Sequence, residues 1–160
     1  LGDALAVALL DAKGFGEEDF ARSHPGGSLG RRLLTHVRDI MHTGQKVPAV
    51  PQNATLADAI LEMSRKGLGM TAIVDESNHV LGIYTDGDLR RTLEKKLDFA
   101  TTPVSSVMSR KPHCTTPDAL AAEAVRIMEE RKVNQMLVVE ADNKLAGALN
   151  MHDLLRAKVI

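Results

Sequence analysis

Two side chains three residues apart, Thr85 and Asp88, set the first chemical question in this sequence. They sit in the run Gly82-Ile83-Tyr84-Thr85-Asp86-Gly87-Asp88, where an apolar stretch gives way to a polar one. A carboxylate there can accept hydrogen bonds from two vicinal ribose hydroxyls. The hydroxyl of Thr85 and the free amides of a helix start can meet a phosphate. Asp88 then belongs on the ribose, because carboxylate and phosphate repel. The same residues also spell a helix capping box, Thr-x-x-Asp, which needs no ligand.

A second copy of the pattern departs from the first. In Gly147-Ala148-Leu149-Asn150-Met151-His152-Asp153, Asn150 stands where the hydroxyl was and Asp153 keeps the acid. Asn can still cap a helix and donate through its amide, and His152 adds a group able to carry positive charge near an anion. Arg90, Arg91, Lys95 and Lys96 read as a solvated helix face, with Arg90 within reach of a phosphate or carboxylate. Metal binding has little support. Adjacent His113 and Cys114 point to opposite sides of an extended strand. A calcium loop begun at Asp86 would place Leu97 where a bidentate acid is required. No nucleophile–base constellation is visible around the single cysteine.

These motifs belong to an internal repeat. Gly82 and Gly147, Asp88 and Asp153, and Met63 and Met128 are each 65 positions apart; Met41 and Met108 are 67 apart. The pattern predicts two units, residues 37–97 and 98–160, each β-α-β-β-α. The first unit is expected to have a strand near 46–50, a helix over 55–66 capped by Thr55, strands over 70–74 and 80–84, and a helix over 86–96. The second repeats it at 113–115, 116–128, 136–140, 145–149 and 151–158, with Thr116-Pro117 as cap and first helical residue. Units of about 60 residues bury too little surface to stand alone, so the two sheets are expected to pair through their apolar faces. Residues 1–36 read as helical pieces over 1–13, 17–22 and 28–34, broken at His24-Pro25-Gly26-Gly27.

The whole chain, 160 residues with net charge −1 and 2% aromatic residues, offers no basic field or stacking platform for nucleic acid. It shows no apolar run of membrane-spanning length and no secretory signal. One cysteine fits a reducing, cytoplasmic compartment. With no initiator Met before Leu1, the chain is expected to be a piece of a longer one.

The repeat, the element order and the Gly–apolar–x–Thr–x–x–Asp motif resemble a tandem CBS domain pair, an α/β module with pseudo-twofold related repeats. The segments 1–10, 23–31, 39–44, 85–91 and 151–157 are similar to the bacterial D-arabinose 5-phosphate isomerase family. There a sugar isomerase domain precedes a CBS pair and ribulose 5-phosphate and arabinose 5-phosphate are interconverted on the way to Kdo and lipopolysaccharide. The resemblance implies that residues 1–36 are the tail of the isomerase domain and that His24 is a remnant of its catalytic site. It implies that Gly69-Met70-Thr71 and Asn134-Gln135-Met136 lie where a base is contacted. It also implies self-association as a dimer, and as a tetramer in the full-length enzyme. No cofactor is expected. The fragment is expected to be inactive and to bind a small anionic regulatory ligand, an adenine nucleotide or CMP-Kdo. The competing expectation is an oligomerisation module without a ligand.

Overall fold

The computed structural model describes residues 27–160. After a short helix α1 (Ser28–Leu34) and a single helical turn α2 (Val37–Ile40), the chain forms β1 (Ala49–Pro51), α3 (Leu56–Lys66), β2 (Met70–Val74), β3 (Val80–Thr85) and α4 (Asp86–Leu93). The order then repeats as β4 (Cys114–Thr115), α5 (Ala121–Arg131), β5 (Gln135–Val139), β6 (Leu145–Asn150) and α6 (Met151–Arg156). Each repeat holds one three-stranded mixed sheet, with the first strand parallel and the third antiparallel to the middle strand. The hairpins match down to a register shift at Ile73/Val74 and another at Val138/Val139. The β-α-β-β-α reading therefore holds in both repeats.

Local chemistry explains most boundaries. Thr55 caps α3 by accepting from the Asp58 amide at 3.2 Å, and Asp58 returns the bond to the Thr55 amide at 3.1 Å. Leu56, Ala59 and Met63 turn the buried stripe inward, and Gly67 ends the helix in the left-handed conformation at φ 70°. The second repeat differs at its helix start. Thr116-Pro117 does not cap α5, which begins at Ala121 after Leu120 without a side-chain cap. The intervening carbonyls are taken instead: Pro117 accepts from the Arg38 amide at 3.0 Å and Ala119 from the Val37 amide at 2.8 Å. The closing helices end at Leu93 and Arg156, short of the expected 96 and 158.

Those bonds reveal an exchange that the repeat did not foretell. The segment entering the first repeat packs on the second, and the reverse. His36 bridges Leu120 and His42 bridges Ala148, while Pro103 bridges Thr55 and Ser109 bridges Ile83. Val37 accordingly lies in the core of the second repeat with Val125, Met128 and Leu154. Val104 and Met108 lie in that of the first with Leu56, Ile73 and Tyr84. The motif glycines permit the crossing. A Cβ on Gly82 would sit 2.6 Å from Met108 Sδ and 2.8 Å from the Ser109 carbonyl; on Gly147 it would meet the His42 carbonyl at 2.7 Å.

Between the repeats lies a third apolar cluster, in which Met70, Ala72, Val80 and Ile83 join Leu137 and Ala148. This is the expected pairing of the two sheets. The hairpin turns close it reciprocally: Val80 donates to the Asn143 carbonyl and Leu145 to that of Asn78, at 3.1 and 3.0 Å. The Asn143 amide group donates to the Val80 carbonyl at 3.0 Å and the Asn78 amide group to the Leu145 carbonyl at 3.2 Å. Such mutual bonding is what a pseudo-twofold axis through the seam produces. No helix among the described residues is long and apolar enough to cross a membrane.

Candidate functional site

Among the described residues, a cleft opens along the seam beside each strand-to-helix junction. Cleft 1 has a volume of about 630 Å³ and cleft 2 about 280 Å³. Both are built from the two repeats together, and they share Asp86, Asn134 and Gln135.

Cleft 1 is floored by Thr85, Asp86, Gly87 and Asp88 at the start of α4. The capping box is fully formed. Asp88 Oδ2 accepts from the Thr85 amide at 2.9 Å and the Thr85 hydroxyl at 3.0 Å, and the Asp88 amide donates to Thr85 Oγ1 at 3.3 Å. The hydroxyl's single proton is thus committed to Asp88, which leaves it only an acceptor lone pair for other partners. Asp88 Oδ1 faces differently: Arg91 Nη2 donates to it at 2.7 Å and Ser109 Oγ at 3.4 Å. Asp88 is 6% exposed, whereas the Arg91 side chain is 69% exposed. A guanidinium so placed can leave Oδ1 for a ligand anion and free the carboxylate oxygen for hydroxyl donors.

The rim of cleft 1 carries Arg90, Arg91, Lys111 and Lys132 against the two carboxylates Asp86 and Asp88, a surplus of two positive charges with His113 neutral. That balance suits an anion. Lys132 holds its place at a cost. It closes α5 in the left-handed conformation at φ 55°, the position Gly67 takes in the first repeat.

Beneath this floor, Tyr84 is wholly buried and donates to Thr92 Oγ1 at 3.1 Å, and Thr92 donates to the Asp88 carbonyl at 2.7 Å. Burial pushes the phenol pKa up; the bond to Thr92 works against that rise and the nearby Asp88 charge adds to it.

Cleft 2 has the same frame with other side chains. Asn150 Oδ1 accepts from the Asp153 amide and Asp153 Oδ2 from the Asn150 amide, both at 2.9 Å. Asp153 Oδ1 is held by His42 Nε2 at 2.9 Å, and Asp153 is not among the lining residues. Gly69, Asn150, Met151 and His152 form the walls, with no lysine or arginine among them.

Of the residues singled out in the sequence, Thr85, Asp88, Arg90, Asn134 and Gln135 meet in cleft 1. Gly69, Asn150 and His152 meet in cleft 2. Met70, Thr71 and Met136 line neither. They are fully buried, Thr71 because its hydroxyl ties β2 to the Ala59 carbonyl of α3 at 3.0 Å. Alternation along a strand put them on the face opposite the clefts or inside the seam. His24 and the helical pieces before residue 27 lie outside the described residues. Sequence reasoning missed Arg91, Lys111, Lys132 and Ser109. Only Arg91 had a signal, its helical i,i+3 spacing from Asp88; the others reach the cleft through the exchanged entry segment and the opposite repeat. Among the described residues no group of three or more His, Cys, Asp or Glu side chains is arranged to hold a metal. Cys114 is half-buried, and burial raises its thiol pKa.

This frame of two mixed sheets, joined through a seam with a cleft at each strand–helix junction, is that of a CBS pair. The sequence matches the family described as "CBS domain" over residues 37–95 and 104–160, so the chain belongs to the CBS domain family. Over all its 160 residues it is 53% identical to the arabinose 5-phosphate isomerase KdsD of Pseudomonas aeruginosa and 51% identical to that of Escherichia coli. It covers 49% and 48% of those proteins and so spans about half the length of the curated relatives it matches. Among solved structures, it resembles CBSX2 in complex with AMP, with a TM-score of 0.65 and 24% identity over 77% of this chain and 95% of that one. It also resembles the CBS pair of MJ0100, solved with 5′-methylthioadenosine and S-adenosyl-L-methionine, with a TM-score of 0.69 and 20% identity over 76% of this chain and 98% of that one.

Proposed function

We propose that this chain is the regulatory module of an arabinose 5-phosphate isomerase and that cleft 1 binds an anionic ribonucleotide. The observation that carries the reading is the pairing in cleft 1 of a buried carboxylate oxygen, Asp88 Oδ1, with a cationic rim. The oxygen suits ribose hydroxyls, and the rim suits phosphate or carboxylate. The cleft volume of about 630 Å³ falls inside the range of about 300–1,000 Å³ usual for small-molecule sites. The nucleotide complex of CBSX2 supports the ligand class, and the similarity to KdsD isomerases supports the setting.

Within that class the first candidate is CMP-Kdo, a nucleotide sugar that combines ribose, phosphate and a sugar carboxylate; the adenine nucleotides come next. CMP-Kdo is the activated end product of the route that arabinose 5-phosphate feeds, and its two acidic groups match a rim with several cations. Aldose–ketose isomerisation itself is assigned to the part of the longer enzyme outside residues 27–160. The module acts by biasing the packing of that enzyme. A ligand can do so only through its differential affinity for two arrangements, typically about 1–3 kcal/mol.

Calorimetric titration with CMP-Kdo, CMP, AMP and ATP tests the reading. CMP-Kdo is expected to bind most tightly; tighter binding of ATP rejects CMP-Kdo as the ligand. A second reading, a structural module that holds an oligomer together, draws on the exposed Leu61, Leu93 and Leu155. Thermal stability unchanged across the same nucleotides would favour it.

A further inference from the structure

We infer that His42 closes cleft 2 to nucleotides, so that each chain holds one ligand, in cleft 1; the inference rests on the reading of cleft 1 just given. The sheet bridges make His42 and Ser109 equivalent, since each is the exchanged-segment residue that bridges its motif strand, at Ala148 and Ile83 respectively. Each also faces the motif aspartate of that repeat. Ser109 Oγ stands 3.4 Å from Asp88 Oδ1, a contact a competing hydroxyl can displace. His42 Nε2 lies 2.9 Å from Asp153 Oδ1, and an imidazole is a larger group than the hydroxymethyl of a serine.

Three differences between the clefts accompany this one. Asp153 drops out of the cleft lining while Asp88 remains in it. The only oxygen of Asp153 not used for capping is the one His42 holds. The volume falls from about 630 to about 280 Å³, from well inside to the lower edge of the range of about 300–1,000 Å³ of small-molecule sites. The charge differs as well. By the repeat offset, Gly44, Gly67 and Leu155 stand where cleft 1 has Lys111, Lys132 and Arg90. His42 is thus a specificity-determining residue that makes two like halves bind unlike.

Titration of the 15N-labelled chain with AMP, followed by NMR, tests this. The backbone amides of 85–91 are expected to shift, and those of 150–153 to stay still. In His42→Ser, which installs the residue already present at Ser109, the 150–153 amides are expected to shift too, at higher AMP. Asp88→Asn, made in the chain with His42 intact, is expected to weaken AMP binding about 10-fold or more relative to the unaltered chain. Asp153→Asn is expected to change it less than about twofold, which keeps the test open if His42→Ser fails to fold. Shifts at both junctions of the unaltered chain overturn the inference alone, as do silence at 150–153 in a folded His42→Ser protein and an Asp153→Asn loss matching that of Asp88→Asn. No shift anywhere with AMP, nor in the same titration made with CMP-Kdo, overturns both this inference and the reading of cleft 1.

Discussion

The two oxygens of Asp88 have different partners. Oδ2 completes the cap of α4 and Oδ1 looks into the cleft through Arg91 and Ser109. The capping and ligand-binding readings of Thr-x-x-Asp are therefore compatible. Asp88→Ala should lose the carboxylate half of the capping box, at about 0.5–1.5 kcal/mol by urea denaturation, and nucleotide affinity as well, while the bond from the residue-88 backbone amide to Thr85 Oγ1 remains. Lys132 should show effects of opposite sign. Lys132→Gly removes a left-handed cost of about 1–2 kcal/mol and adds a backbone entropy cost of about 0.5–1. The protein should become more stable by about 0.5–1 kcal/mol while its affinity for phosphate-bearing ligands falls. Tyr84 adds a pH dependence. Its folded-state pKa is raised above 10.0, so the unfolded chain releases the phenol proton first as pH climbs. Stability should be complete below pH 10 and decline above it. As the chain has one tyrosine and no tryptophan, tyrosinate absorbance reports the titration directly, and Tyr84→Phe should remove the decline.

At the level of elements, the exchanged entry segments explain why both motif strands keep a glycine where the chain crosses them. Gly82→Ala should cost about 1–3 kcal/mol by overpacking against Met108 and the Ser109 carbonyl. Gly87→Ala, whose added methyl would have its nearest contact at 3.5 Å, should change urea stability far less. The same exchange marks the limit of what the sequence discloses. The offsets of 65 and 67 give the number, order and kind of elements, because amphipathic period and turn chemistry act locally. They also mark the Thr85–Asp88 junction, which lies in cleft 1; Arg90, in the same cleft, has no counterpart at the offset position Leu155 and follows only from its charge on that helix. They are silent on which repeat an entry segment packs against, and Lys111, Ser109 and His42 all ride on those segments. The Thr116-Pro117 signal misled for a related reason: carbonyls after it were taken by the entry segment of the other repeat, so the helix began at Ala121.

For the molecule as a whole, the seam is the structural joint, and both clefts open along it. Reciprocal Asn78 and Asn143 bonds lock the hairpins, and the clefts flank the Met70–Leu137 cluster. A ligand in cleft 1 touches both repeats and ties them together. Saturation at about 100 times Kd should add about 2.7 kcal/mol, a rise in melting temperature of about 5–10 °C by calorimetry. Because the rim is exposed and cationic, that gain should shrink as ionic strength rises. On the proposed reading, a ligand-driven change in how the repeats meet would be passed on through α1 and α2, which pack on the second repeat.

The most direct measurement is a crystal structure of the chain grown with CMP-Kdo, read at one distance. Ribose hydroxyl oxygens are expected about 2.5–2.7 Å from Asp88 Oδ1, with the Arg91 guanidinium turned from that oxygen onto an anionic group of the ligand. A nucleotide lodged elsewhere on the chain, or a saturated crystal in which Arg91 still covers Asp88, would contradict it.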